Sequence, residues 1–237
     1  MKKPISLLLS GITALLLPQT AIADEGKLSV VELFTSQGCS SCPPADELVG
    51  ELAEKHNDDV LALAYHVDYW NYIGWEDPYS KAAFTDYQRQ YASVMRSRRV
   101  YTPQMVINGR HDVVGSRRNS VLSKIVKNQH DTVKMDAKLS NASDAKQSTL
   151  SIAGSDFLAG ADIILVTYIP SRTTKVKRGE NSGRTLVDTN IVESTKKLGS
   201  FSGDASTLTI DTPEADRLAA VILRDPRNLN ILAASKL

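Results

Sequence analysis

Cys39 and Cys42 are the only cysteines in the chain, and two serines separate them. A two-residue spacer lets both sulfurs meet across one tight turn, so the pair can cycle between dithiol and disulfide. They lie between an apolar run, Leu28 to Phe34, and a stretch with helical periodicity. A thiol at the start of a helix has its thiolate favoured by the helix dipole and by free backbone N–H groups. The thiolate is the form that attacks disulfides and binds soft metals. As a staple the bridge would do little, because so short a loop removes little unfolded-state entropy. Pro43 and Pro44 follow at once. Proline is accepted in a first helical turn, where its missing N–H is not needed, so Cys42 is expected at or before the helix start.

Other residues can join this chemistry. Glu32 shares an alternation face with Val30 and Phe34 on an apolar strand; desolvated there, its carboxyl would have a raised pKa and could relay a proton to Cys42. The alternative is a salt-bridged or edge-exposed Glu32. His66 ends a second apolar strand. With Cys39 and Cys42 it offers a soft S/N set for Cu(I), or it is a hydrogen-bonded structural histidine. Tyr69, Trp70, Tyr72, Trp75 and Tyr79 either line a groove for an extended substrate or form the core of a long loop. Asp68 and Asp77 among them read as turn and cap residues. Glu180-Asn181-Ser182-Gly183-Arg184 reads as a turn between two strands.

The elements that must position these groups follow from periodicity. Residues 28–36 form a buried strand, 44–56 a helix with Ala45, Leu48, Val49, Leu52 and Ala53 on one stripe, and 60–69 a second strand. This βαβ unit places the dithiol at the carboxyl end of its first strand, where open α/β sheets carry their sites. A helix over 79–97, a strand over 104–108, an Asn108-Gly109 turn, a strand over 111–114 and a helix over 116–130 complete the order β-α-β-α-β-β-α. Beyond residue 131, short runs recur at 133–140, 148–154, 162–169, 173–178, 185–192, 206–211, 217–224 and 229–235. Polar and glycine clusters separate most of them, which predicts a small antiparallel sandwich. The expected division is 24–131 and 132–237.

The chain start reads as an export signal: Lys2 and Lys3, an apolar Ile5 to Leu17, then Ala21-Ile22-Ala23 as a cleavage site. Residues 1–23 would be removed, leaving an exported, periplasmic protein with no stable membrane insertion. Ser235-Lys236-Leu237 matches a peroxisomal address, which conflicts with export and is set aside. Lys and Arg number 28 against 27 Asp and Glu. This near-neutral balance argues against a general nucleic-acid or anionic-membrane binder.

The element order with its dithiol resembles the thioredoxin fold. Thr102-Pro103-Gln104-Met105-Val106-Ile107-Asn108-Gly109 resembles the segment of that fold where a cis-proline opens a strand. The resemblance implies that Pro103 is cis and packs beside the dithiol, that the Thr102 backbone pairs with a substrate peptide, and that a buried acid near Glu32 serves proton transfer. At finer grain, residues 31–46 (Val31 to Asp46, with Gly38-Cys39-Ser40-Ser41-Cys42-Pro43-Pro44), His66-Val67-Asp68-Tyr69-Trp70, Ile73-Gly74-Trp75, Tyr101-Thr102-Pro103-Gln104 and Gly179-Glu180-Asn181 resemble an exported bacterial family known as domain of unknown function 1223. That likeness raises a second reading of the 180–184 turn, one that reaches back over the dithiol. The expectation is therefore an α/β thioredoxin-like domain followed by a small all-β sandwich-like domain. Its expected function is thiol–disulfide exchange with protein or peptide thiols. Cys39, Cys42, Pro103, Thr102 and Glu32 would carry the chemistry, and Tyr101, Trp70 and Trp75 would contact substrate. No cofactor is expected beyond the redox-active disulfide. Two alternatives stand beside it: a Cu(I)-binding or metallochaperone protein, and a non-catalytic binding module with a locked disulfide.

Overall fold

The computed structural model describes residues 26–97, 99–141 and 146–237; the signal-like start, residues 1–23, lies outside them. The chain opens with β1 (Ser29–Thr35), α1 (Pro43–Lys55), β2 (Val60–His66), α2 (Ala82–Val94), β3 (Gln104–Ile107), β4 (His111–Val114) and α3 (Arg118–Lys127). It continues with β5 (Val133–Lys134), β6 (Ala137–Asn141), β7 (Gln147–Ile152), β8 (Asp162–Lys175), β9 (Thr185–Ser200), β10 (Ser206–Asp211), β11 (Leu218–Arg224) and β12 (Ile231–Lys236).

β1 and β2 are buried along their whole length. That is why both read as near-continuous apolar runs rather than alternating ones. They pair in parallel from Ser29 opposite Val60 to Thr35 opposite His66. α1 crosses between them, with Pro43 and Pro44 in its first turn and Ala45, Leu48, Val49 and Leu52 buried. β3 returns antiparallel to β1, from Val31 opposite Ile107 to Phe34 opposite Gln104.

The second half does not form a separate sandwich. One nine-stranded mixed sheet runs β4-β3-β1-β2-β9-β8-β11-β12-β5, and β10-β7-β6 form a small second sheet. This corrects the expected thioredoxin-like α/β domain with an appended all-β domain. The molecule is one large, mostly β mixed sheet with three α-helices among the described residues. The physical reason lies at the outer edge of β2. β9 pairs there, Ala64 opposite Ile191, and carries β8, β11 and β12 onto the same sheet.

Alternation along these strands then builds two layers. One sheet face gathers Val30, Phe34, Leu63, Tyr65, Val106, Ile164, Val166 and Ile222 into a shared core with Phe84 and Tyr91 of α2. The opposite face is covered by α1 and α3 in one half and by the three-stranded sheet in the other. The sheet curls around the shared core until its ends meet. The Ile231 N–H donates to Asn108 O at 3.0 Å, and the Lys134 N–H donates to Gly26 O at 2.8 Å. Gly109, at φ +67°, is required in this closure, because a Cβ there would stand 2.2 Å from Leu229 O.

β8 and β9 form one long hairpin where the sequence suggested three shorter runs. Pro170 does not break β8, because β11 pairs only as far as Tyr168 and leaves that edge without a ladder. Opposite it, Asn190 has φ +49°. Here the hairpin bends: Ile191 joins β2, whereas a Cβ at Gly50 of α1 would lie 3.3 Å from Thr189 Oγ1. The outer arm therefore leans over α1 and carries its turn, residues 176–184, toward the cysteines. No helix among the described residues is long and apolar enough to cross a membrane.

Candidate functional site

Cys39 and Cys42 form a disulfide with a Cα–Cα distance of 5.4 Å. Cys42 is the N-cap of α1, and its carbonyl accepts from the Ala45 and Asp46 N–H groups. Its sulfur thus belongs to the positive end of the helix dipole. Ser41 Oγ lies 3.4 Å from Cys39 Sγ and is the donor, since a disulfide sulfur carries no proton. Neither cysteine exposes any surface, although Ser40 and Ser41 between them are exposed.

The 176–184 turn holds the disulfide loop down. Asn181 is fully buried, and its Nδ2 donates to Gln37 O at 2.9 Å and Cys39 O at 3.0 Å. The Ser40 N–H donates to Glu180 Oε2 at 3.1 Å. Arg184 braces Asn181 Oδ1 at 3.1 Å. Of the two readings of residues 180–184, this arrangement is the one that reaches back over the cysteines.

Beneath the loop lies a buried polar cluster drawn from both strand ends, α1 and the hairpin arm. Thr35 Oγ1 donates to Asp46 Oδ1 at 2.7 Å. The Gln37 N–H donates to Asp77 Oδ2, and Gln37 Nε2 to Asp188 Oδ2, at 2.8 and 2.7 Å. His66 Nδ1 lies 2.8 Å from the same Asp77 oxygen. The β1–β2 register explains the convergence, since it sets Thr35 beside His66.

Burial in this cluster pushes the Asp46 carboxyl up to about 8, with the nearby Asp188 carboxyl adding to the effect and His66 and Thr35 opposing it. Burial also raises Asp188, against the pull of His66 and Gln37. For His66, burial alone would lower the imidazolium, but Asp77, Asp188 and Asp46 outweigh it and hold the ring up to about 9. Burial works against ionised Asp77 too, yet His66 and the Gln37 and Tyr79 N–H groups keep it below the usual carboxylate range. The raised His66 imidazole thus faces Asp77, with the raised Asp46 carboxyl beside the pair. His66 Nε2 is buried and has no hydrogen-bond partner among the described residues.

The remaining sequence candidates divide between this site and elsewhere. The Thr102–Pro103 peptide bond is cis. Because Gln104 pairs with Phe34, Pro103 continues alongside Thr35 and the start of the disulfide loop. Trp70 Nε1 donates to Thr102 Oγ1 at 2.8 Å, and Trp75 Nε1 donates to Gln37 Oε1 at 3.1 Å. The Trp75 indole thereby braces the loop and the Trp70 indole braces Thr102, while a Cβ at Gly38 would stand 3.1 Å from the Trp70 Cβ. Tyr101 points away, its hydroxyl donating to Asp112 at 2.9 Å. Glu32 is on the opposite sheet face, accepting from the Tyr87 and Tyr91 hydroxyls at 2.9 and 2.5 Å. Of the Cu(I) set, the two sulfurs are bonded to each other and His66 is turned to Asp77. The described residues contain no group of three or more His, Cys, Asp and Glu arranged to hold a metal.

Asp46, Gln37 and Asp188 are not singled out by the sequence reading. Asp46 carries a usable signal: it follows Cys42 by four residues, one helical turn along the same face. Asp188 carries none, because only the bend of the long hairpin brings it here.

Comparison with known proteins places this architecture. The crystal structure of protein AGR_C_4864 from Agrobacterium tumefaciens is 30% identical and superposes with a TM-score of 0.75, over 91% of this chain and 96% of that one. It shares the large, mostly β arrangement. HBP35 of Porphyromonas gingivalis, 14% identical, superposes at 0.60 over 90% of this chain and 75% of that one, a likeness of fold alone. No curated protein matches. The family described as protein of unknown function (DUF1223) matches residues 30–224, and the chain belongs to that family.

Proposed function

We propose that the protein exchanges disulfides with protein or peptide thiols through Cys39 and Cys42, in an exported, periplasmic setting. The observation that carries this reading is the Cys39–Cys42 disulfide at the start of α1, with the buried Asp46 carboxyl one turn along the helix. A substrate thiolate attacks Cys39 Sγ, forming a new S–S bond as the Cys39–Cys42 bond breaks. The electron pair leaves on Cys42 Sγ, where the helix N-terminus favours the thiolate and Asp46 supplies the proton. A second substrate thiolate then displaces Cys39, giving an oxidised substrate and a reduced protein. The same steps in reverse reduce a substrate disulfide. Thr102 and Pro103 form the adjacent wall for the substrate chain. Access requires the 176–184 turn to lift, because neither sulfur is exposed.

The test uses a reduced peptide with two cysteines, the mature protein, and glutathione disulfide as the oxidant that restores the Cys39–Cys42 bond. Thiol loss from the peptide should be catalysed. A Cys39→Ser variant should be inactive, and Cys42→Ala, given the peptide in its disulfide form, should accumulate a protein–peptide mixed disulfide visible by intact mass, the Cys39 thiolate attacking one peptide sulfur and releasing the other as a thiol. Uncatalysed thiol loss with no mixed disulfide would refute exchange. A second reading, a binding module with a locked disulfide, draws on one observation: both cysteines are fully covered, with Asn181 bonded across their loop.

A further inference from the structure

Glu32 takes no part in the disulfide cluster, yet it is fully buried and lines a cavity of its own. The cavity measures about 270 Å³ and lies between α2 and the inner face of the curled sheet. Ile164, Val166 and Ile222 form its apolar floor, and Arg224 and Lys197 line it with positive charge. Mouths of curled sheets with an apolar floor and a few convergent polar groups are the usual place for small ligands.

The polar groups here are unevenly satisfied. Both Glu32 oxygens already accept from tyrosine hydroxyls, Tyr87 at 2.9 Å and Tyr91 at 2.5 Å. Arg224 is different. Its guanidinium lies over the Tyr87 ring, with Cζ 5.3 Å from the centroid. Its Nε is buried and has no hydrogen-bond partner among the described residues. Lys197 is held only at the rim, by Asp162 at 2.6 Å. A buried donor left open beside a cavity is costly unless something accepts from it. Arg224 also interacts with the Tyr87 side chain and, through charge, with Glu32, and these contacts leave its Nε open. The cavity thus offers an open guanidinium N–H, with Lys197 at its rim, above a floor that accommodates a compact apolar body.

We propose that this cavity binds a small organic carboxylate, its carboxylate accepting from Arg224 and its apolar part resting on Ile164 and Ile222. A guanidinium matches a carboxylate in both charge and planar geometry. The probe is benzoate, titrated into the full mature chain by calorimetry, with the isosteric neutral benzamide and cationic benzylammonium alongside. Benzoate should bind saturably, and the other two should bind at least about tenfold more weakly, as expected when a charge-assisted bond is lost. Arg224→Gln should weaken benzoate by a similar factor. Ala83→Trp, at the exposed rim of the cavity, should block benzoate while leaving the thermal unfolding midpoint unchanged, and it decides the matter if the Arg224 variant fails to fold. Absence of saturable binding, equal binding of benzamide, or wild-type affinity in the folded Arg224→Gln or Ala83→Trp protein would overturn the proposal.

Discussion

Glu32 and Asp46 are both buried carboxyls pushed up by burial, and they serve opposite faces of one sheet. Asp46 sits on the α1 face with Thr35, His66, Asp77 and Asp188 as neighbours, in the cluster under the disulfide. Glu32 sits on the α2 face with Tyr87, Tyr91 and Arg224. The difference is one of strand parity. On β1, Val31, Leu33 and Thr35 face α1, whereas Val30, Glu32 and Phe34 face the inner core. Because side chains alternate with a period of two, a displacement of one residue moves a group through the sheet. An acid on the right strand is therefore no guide to a proton path unless its parity is also right.

The largest expected effect separates the two faces outright. Cys39→Ser should reduce thiol exchange to the uncatalysed rate, whereas Glu32→Gln should leave it within about twofold if the two faces are independent. A stopped-flow assay of peptide oxidation reads both. Next in size, Asp46→Asn should slow exchange by about 10²-fold at neutral pH, the lower end of what a positioned acid contributes. The introduced amide oxygen still accepts from the Thr35 hydroxyl, so packing is preserved. The wild-type rate should depend on pH near 8, where the Asp46 carboxyl titrates, and the variant's rate should lose that dependence. A pH–rate profile unchanged in Asp46→Asn would remove Asp46 from the mechanism.

A third expectation concerns stability. In the unfolded chain Asp46 releases its proton near 3.8 and His66 near 6.5; in the folded chain they release at about 8 and about 9. Across those intervals the folded state binds more protons, so stability falls as pH rises from about 4 to 9. Glu32, also raised, adds to the same trend from the other face. Asp77 runs the other way, its stabilisation being present above its ordinary range and lost on acidification. Urea unfolding of the oxidised protein should show lower midpoints at pH 9 than at pH 5. Asp46→Asn should flatten the part below 8, by up to a few kcal/mol, since a tenfold change in proton affinity is worth about 1.4 kcal/mol. A flat wild-type profile would contradict the raised proton affinities of Asp46 and His66. Smallest, Asn181→Ala should speed reduction by dithiothreitol by up to about tenfold, because two hydrogen bonds holding the loop are lost. An unchanged rate would mean the turn does not limit access.

Local signals in the sequence reach much of the site. The Cys39–Cys42 pair, its position before α1 and the apolar stripe of that helix follow from spacing and periodicity. Asp77 is legible as a turn residue, and it does accept from the Tyr79 N–H at 3.0 Å, but its second oxygen serves His66 and Gln37. The sheet itself is not legible. A single parallel pairing, Ala64 with Ile191, joins its two halves across more than a hundred residues, and no local pattern marks such a contact. The same holds for Asp188 and Asn181, which reach the cysteines only because the β8–β9 hairpin bends at Pro170 and Asn190. Glu32 is legible as buried, but its face is decided by the register of the whole strand.

The buried Cys39–Cys42 bond is expected to exchange rather than to staple. Equilibrating the mature protein in glutathione buffers, then counting free thiols by alkylation and mass, tests it most directly. Exchange predicts a midpoint between about −120 and −270 mV. A midpoint below about −300 mV would mark a locked disulfide and rule out exchange.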